Sequence, residues 1–339
     1  MSLYNPKVSF DEGVAQSLSI VIVCKNEEKS LPILLSCLIK QSYRNFELVL
    51  VNDHSTDTTL AIMEKATALF SDVKLIDAKG FGKKNALKEG INVANGSLII
   101  TTDADCLPGC DWVNVTCSFQ QEYPSDLIIS PVQMLENKSI LSRIQALEFI
   151  TLVAAGAGAA GAGMPVLCNG ANLAFTKEAW LQSKNDLVEE QISGDDIFLL
   201  QSIKKRDGVI RFLKSNSAIV FTEPTTSLAA FFKQRRRWAS KSTAYTDLPL
   251  IFTACIVFGI SLAIVILASF SIFNLKFLLP LSIIVSLKLL VDIIFLRSVK
   301  SFFQIRHLFI DSLLLSILYS FYIISVAFSV LISKPKNWS

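Results

Sequence analysis

Residues 98 to 108 read LIITTDADCLP, an apolar run that breaks into two aspartates one residue apart. Along an extended strand the side chains at i and i+2 share a face, so Asp103 and Asp105 point the same way if the strand continues through them. Two carboxylates held that close favour a cation between them. Oxygen-only ligands suit a hard divalent ion, and one bound by two carboxylates completes its shell with water and substrate phosphates. The competing reading is a solvated loop of turn formers, because Pro108 and Gly109 follow. A second acidic pair, Asp195 and Asp196, opens GDDIFLLQSIKK (194–205) at the mouth of a predicted helix. There the acids serve either as N-cap and first-turn residues or as groups of a site. QRRRW at 234–238 supplies Gln234, Arg237 and Trp238. Its charges also suit an anionic lipid surface, with Trp238 as an interfacial anchor. GFGKKNALKEG (80–90) is neither a dinucleotide nor a Walker loop. Lys83 and Lys84 open a helix there against its macrodipole, a placement tolerable on a surface and useful beside a phosphate.

These residues need elements to hold them. LSIVIVC (18–24) is β-branched and apolar without alternation, as in a parallel strand buried on both faces. In LPILLSCLIKQ the residues Leu31, Leu34, Leu35 and Leu38 mark one helical stripe, with Pro32 in the first turn. FELVLV (46–51) repeats the strand signal, and a helix from about Thr58 to Phe70, a strand VKLID, a helix from about Lys83 to Ala94 and the strand LIITT follow. Such alternation predicts a doubly wound α/β sheet over about the first 105 residues. Ligands of these sheets bind beyond the carboxyl ends of the strands. CKNEE, VNDHSTD and TTDADC all fall there, which makes Glu27, Asp53, Asp103 and Asp105 candidates for one site.

The chain of 339 residues is 51% hydrophobic, too apolar for an ordinary soluble protein. The excess lies in three uncharged or nearly uncharged stretches, about 250–273, 277–296 and 308–332, each long enough to cross a bilayer as a helix. The expected organisation is a globular head over 1–247 and a membrane anchor over 248–339. MSLYNPKVSFDEGVAQ has no apolar core, so no signal peptide is expected. Lys233, Arg235, Arg236, Arg237 and Lys241 precede the first span, Lys276 lies between the first two, and Arg297, Lys300 and Arg306 follow the second. The positive-inside rule then sets the head in the cytoplasm and the tail SKPKNWS outside, in a multi-pass protein of the cell membrane. Seven cysteines without a CxxC pair are read as free thiols. With a net charge of +3 and no interleaved basic and aromatic residues in the head, no nucleic-acid partner is expected. The uncharged segment 149–168 is read as part of the head, because one crossing there would separate the two acidic pairs across the membrane. SILSRIQALEFITL before it is read as an amphipathic helix at the membrane surface. Within the second span Lys288 and Asp292 stand one turn apart and are expected to pair.

The ordered set VIVCKNEE, VNDHSTD, TDADC, CNGANLAF, GDD and QRRRW resembles the family 2 glycosyltransferases of the GT-A fold, in particular the membrane-anchored inverting members. The resemblance covers about residues 18 to 240. It implies a GT-A-type doubly wound mixed sheet followed by about three transmembrane helices, and transfer of a sugar from a nucleotide sugar, with uridine the family preference. It assigns Asp53 to the base, Asp103 to the nucleotide, Asp105 with Asp103 to a metal (Mg²⁺ or Mn²⁺), Asp196 to acceptor deprotonation, and Gln234, Arg237 and Trp238 to diphosphate and acceptor. Glu27, Lys83 and Lys84 are further candidates for donor contact. GDD stands where many relatives have Thr-Glu-Asp, so Asp196 is chosen over Asp195 by aligning the second acid. The residue types fit the chemistry: a Lewis acid and cations on a leaving diphosphate, and a carboxylate for the attacking hydroxyl.

Three spans are few to enclose a polysaccharide channel, which favours a lipid or lipid-linked acceptor. QxxRW is typical of processive synthases, so a polysaccharide synthase completed by partner subunits is the alternative. A nucleotide-sugar sensor without catalysis would be missing a base or a metal acid, and this sequence has both.

Overall fold

The computed structural model describes residues 3–4, 17–137, 139–184, 186, 194–240, 242 and 245–332. The segments 5–16 and 333–339, and with them the expectations for the amino-terminal stretch and the tail, lie outside the described residues, as does Lys241. The described residues divide into two compact units, one formed by those up to 133 and 155–223, the other by 134–154 and 224–332.

In the first unit β1 (Leu18–Cys24), α1 (Leu31–Ile39), β2 (Glu47–Asn52), α2 (Thr59–Ala66), β3 (Val73–Asp77), α3 (Lys83–Val93) and β4 (Leu98–Asp103) alternate as their apolar patterns predict. The helix α2 closes at Ala66, one turn before the expected Phe70. Further on lie β5 (Leu107–Pro108), α4 (Trp112–Glu122), β6 (Leu127–Ile129) and β7 (Val132–Met134). The long helix α5 (Ile140–Gly161) then contributes its turns up to Ala154 to the second unit and the rest to the first. Next come β8 (Leu173–Thr176), α6 (Lys177–Ser183), α7 (Asp195–Lys205), β9 (Ile210–Phe212) and β10 (Val220–Thr222). The main sheet has the order β3-β2-β1-β4-β8-β6-β9, and β5-β10-β7 form a smaller one. β3, β2, β1 and β4 run parallel, whereas β8 is antiparallel to both β4 and β6, so the sheet is mixed.

Every residue of β1 and β2 is buried, which is why neither strand alternates polar and apolar. Leu31, Leu34, Leu35 and Leu38 are the buried face of α1, each contributing about 1.5–3 kcal/mol by leaving water. α3 lies close on the sheet because Gly90 has no Cβ. A Cβ there would meet Val51 Cγ2 at 2.7 Å and Val21 Cγ1 at 2.8 Å. Register does the positioning: Cys24 pairs with Asn52 and Val23 with Asp103, so β1, β2 and β4 end level.

In the second unit the first turns of α5 associate with α8 (Leu228–Ser240), α9 (Leu248–Phe273), α10 (Leu278–Phe303) and α11 (Leu308–Ile332). Ile140–Gly161, Leu248–Phe273 and Leu275–Phe303 are long and apolar enough to cross a membrane, and Leu308–Ser316 with Leu318–Ile332, bent by 42°, make a fourth if counted as one span. Half of the most apolar stretch of Ile140–Gly161 (50%) is buried, against 17% and 0% for the next two, so its apolar character serves the protein interior more than theirs does. α10 runs past the apolar stretch, and Arg297 and Lys300 belong to its last turns, where cations complement the helix dipole. Lys288 does pair with Asp292, which also accepts from Ser316 Oγ at 3.0 Å, and Tyr319 lies with its ring centre 5.3 Å from the ammonium. An unpaired charge at that depth would cost at least ~2.5 kcal/mol. All seven cysteines are free.

Candidate functional site

The level ends of β1, β2 and β4 deliver an acid each. Asp53 directly follows β2, is fully buried, and accepts from Gly82 N at 2.9 Å through Oδ1. Its Oδ2 accepts no hydrogen bond and lies 3.7 Å from Lys25 Nζ. Gly82 adopts φ +93° just ahead of α3, a conformation that side-chain-bearing residues rarely take. Glu27 follows β1; its backbone N donates to Thr59 Oγ1 at 2.7 Å and its carboxylate accepts from Ser30 Oγ.

Asp103 closes β4, but the chain turns at Ala104, so Asp105 is not the next residue of the same strand face. The strand geometry anticipated for the pair therefore does not hold, and a turn brings the two carboxylates together instead. Asp105 opens to solvent at the rim while protein packs closely around it. That burial, and after it the Asp103 charge, raises its carboxyl above the usual range. Burial likewise raises Glu27, with Asp105 and Asp103 adding to the effect. The Asp103 charge is thus close enough to disfavour ionisation of both Glu27 and Asp105. Among the described residues no group of three or more His, Cys, Asp or Glu is arranged as a metal site by itself.

The two lysines at the start of α3 reach these acids. Lys83 Nζ pairs with Asp103 Oδ1, and Lys84 Nζ lies 3.8 Å from Asp195 Oδ1. α3 thereby connects the strand-end acids to the acids of α7. Asp195 and Asp196 are the first two residues of α7 and neither is its N-cap, a position held by Gly194. Asp196 Oδ2 accepts from Gly170 N at 3.2 Å, and Thr101 Oγ1 donates to Gly170 O at 3.0 Å. Gly170 belongs to the short turn of CNGANLAF, which Asn172 anchors. Asn172 Nδ2 donates to Pro131 O and Ala218 O, both at 2.8 Å, and its Oδ1 accepts from Trp112 Nε1 at 2.9 Å. The sequence offered CNGANLAF only as part of a motif set. The positional work of Asn172 depends on partners 41 to 60 residues away and left no local signal.

Gln234, Arg237 and Trp238 lie on α8 in the second unit. Gln234 Oε1 accepts from Arg235 Nη1 at 2.6 Å, and the Trp238 ring lies 4.2 Å beneath Arg235 Cζ and 5.9 Å from Phe149. Arg235, which the motif reading passed over, is buried against Glu148.

Residues 19–140 match the model of glycosyl transferase family 2, and residues 98–332 match that of glycosyl transferase family group 2. The undecaprenyl-phosphate 4-deoxy-4-formamido-L-arabinose transferase of Proteus mirabilis is 39% identical over 93 residues, 26% of this chain and 28% of that protein. The poly-beta-1,6-N-acetyl-D-glucosamine synthase of Staphylococcus epidermidis is 27% identical over 148 residues, 43% of this chain and 36% of that protein. This chain therefore matches about a third of the length of these curated relatives. Among solved structures, the mannosyltransferase PcManGT from Pyrobaculum calidifontis in complex with GDP-Man and Mn2+ is similar with a TM-score of 0.58 at 14% identity, covering 97% of this chain and 90% of that one. That likeness carries the fold: a GT-A-type mixed-sheet head followed by apolar helices.

Proposed function

Because the chain belongs to the family 2 glycosyltransferases, we propose that it is a membrane-anchored, inverting glycosyltransferase moving a sugar from a nucleotide sugar, a uridine diphosphate sugar foremost, to a lipid or lipid-linked acceptor. The observation that carries this reading is the single sheet edge at which Glu27, Asp53, Asp103 and Asp105 converge with Lys83 and Lys84. Asp53, buried with one carboxylate oxygen free of hydrogen bonds, suits the polar edge of a nucleobase. Lys83 suits the diphosphate. Asp105, whose carboxyl is raised by burial and by the Asp103 charge beside it, and Asp103 are the residues that would hold Mg²⁺ or Mn²⁺, a cation that would relieve that repulsion. Such an ion supplies Lewis acidity to the leaving diphosphate.

Asp196 takes the proton of the acceptor hydroxyl as that oxygen bonds to the anomeric carbon. The bond from that carbon to the nucleoside diphosphate breaks on the opposite face, which inverts the centre. Gly170 N orients Asp196 for this role. Asp195, paired with Lys84, is the supporting acid. Gln234, Arg237 and Trp238 keep the diphosphate and acceptor roles that the QxxRW motif implies. The head, 1–247, is assigned to the cytoplasm and 248–339 to the cell membrane.

Two relatives support the choice of acceptor in different ways. One is named for a polyprenyl-phosphate acceptor and the other for a polysaccharide product. The lipid acceptor is preferred and polymer synthesis is the second reading, favoured by QRRRW on α8. The deciding experiment incubates the purified chain with UDP- and GDP-sugars and a polar lipid extract containing polyprenyl phosphate, and weighs the products. A lipid bearing one sugar supports the first reading, a ladder of lengthening chains the second, and no nucleoside diphosphate release under any condition rejects both.

A further inference from the structure

The second unit contains a buried ion pair that the proposed chemistry does not use. Arg235 of α8 and Glu148 of α5 are 4% and 3% exposed, and Arg235 Nε donates to both Glu148 oxygens, at 3.2 and 3.0 Å, while Nη2 donates to Oε2. Tyr322 of α11 donates its hydroxyl to Glu148 Oε1. Phe231 and Trp238 lie against the guanidinium, 4.7 and 4.2 Å from Cζ to the ring centres. Three helices therefore meet at one carboxylate. A second fixing lies nearby in sequence on α5: Arg143 pairs with Asp311 of α11, and Gln145 exchanges hydrogen bonds with both backbone and side chain of Thr225, ahead of α8.

Burying a carboxylate and a guanidinium is expensive, and an apolar pair of similar volume often serves stability as well or better. What the ionic pair adds is direction. A bidentate guanidinium fixes both the distance and the rotation of the helix that carries it. Residues of an α-helix follow one another at about 100°, so Phe231, Arg235 and Trp238 share a face about 60° wide, Gln234 lies about 100° from Arg235, and Arg237 about 160° away. Fixing Arg235 inward therefore fixes Arg237 outward. Gln234 is held directly, because its Oε1 accepts from Arg235 Nη1.

We propose that Glu148, Arg235 and Tyr322 are positioning residues that lock the rotation of α8 and tie it to α11, so that the direction of Gln234 and Arg237 is set from within the apolar helices. This rests on the reading of those two residues as diphosphate and acceptor contacts. Within QRRRW the arginines thus divide their work, Arg235 holding the helix and Arg237 left to meet substrate.

The test compares the full-length wild type in nanodiscs with Tyr322→Phe and with the double variant Glu148→Leu/Arg235→Met. Thermal unfolding, hydrogen exchange of the α8 amides and steady-state transfer from UDP-N-acetylglucosamine and GDP-mannose are measured. The double variant is expected to unfold at or above the wild-type temperature, since no charge is left buried alone. Its α8 amides should exchange about tenfold faster or more, and its kcat should fall by up to about 10²-fold with donor KM within about threefold, the pattern of a misplaced group. Tyr322→Phe should move both readouts in the same direction by less. A double variant that is stable, exchanges as the wild type does and keeps its kcat refutes the lock, and so does faster exchange with kcat unchanged. If the wild type transfers no sugar, the functional reading fails, and α8 exchange alone then decides whether the lock exists.

Discussion

Replacing Asn172 by aspartate should unfold the first unit far more easily than the one-atom change suggests. The side chain is 1% exposed and fully used: its amide donates to Pro131 O and Ala218 O, and its oxygen accepts from Trp112 Nε1. Aspartate keeps the shape and the bond from Trp112, but turns a carboxylate oxygen toward two carbonyl oxygens that each sat 2.8 Å from the amide nitrogen. Ala218 O loses its donor, at about 1–3 kcal/mol, Pro131 O keeps only its bond from Val220 N, and the new buried charge is repelled by both carbonyls. The expected loss at neutral pH is about 3–6 kcal/mol, a large share of the roughly 5–15 kcal/mol that holds a domain together. Protonation of the new carboxyl restores one of the two donors, so the deficit should shrink between pH 8 and pH 5. The assay is urea unfolding of the detergent-solubilised chain, followed by tryptophan fluorescence, with Trp112 in direct contact with the substituted site. A loss below about 1 kcal/mol at pH 8, or one indifferent to pH, would falsify the idea that Asn172 anchors the turn carrying Gly170 to Asp196.

Asp196→Asn should leave nucleotide-sugar affinity nearly intact and slow transfer by about 10²-fold or more, whereas the same change at Asp195 should act mainly through its pairing with Lys84. Normal transfer by Asp196→Asn together with a dead Asp195→Asn would reassign the base to the first acid. Asp105→Ala should abolish metal-dependent nucleotide-sugar binding and transfer together, as read by calorimetry with Mn²⁺ and by product mass; binding that persists with metal dependence intact would remove Asp105 from the metal. Glu47 is buried, which pushes its carboxyl up, yet bonds from Lys74, Ser19 and Asn95 more than offset this and leave it lowered. Its stabilising contribution is complete above the unfolded value of about 4.3 and is lost as pH falls through the folded one, so the gap in melting temperature between wild type and Glu47→Gln should narrow from pH 7 to pH 3. A constant gap would show that the charge does not matter.

Legibility followed the range of the interactions. β1 and β2 could be read because burial on both faces writes a continuous apolar run, and α1 because Leu31, Leu34, Leu35 and Leu38 repeat at the helical period. The grouping of Asp53, Asp103 and Glu27 at one sheet edge could be read because all three lie at or just beyond the carboxyl ends of parallel strands. β6 and β7 could not, since three residues hold too little pattern to separate a strand from a loop. Asp105 would share a face with Asp103 only if the strand ran on through Ala104, and there the chain already turns. Arg235 looked like one more surface cation of QRRRW, because its partners Glu148 and, beyond it, Tyr322 are 87 positions before and 87 after it in the chain. No local signal spans such a distance.

Gly90 has a reach that its size conceals. It is a place where α3 comes close against the sheet, beside Val21 and Val51, and the lysines at the far end of the helix stand about 10 Å away along its axis. A helix is stiff over two turns, so a displacement at that contact is carried along α3 to its first residues. Bulk added at Gly90 should shift Lys83 and Lys84 relative to Asp103 and Asp195. Screens for altered donor preference should therefore return substitutions at Gly90, Val21 and Val51, three apolar positions with no chemistry of their own.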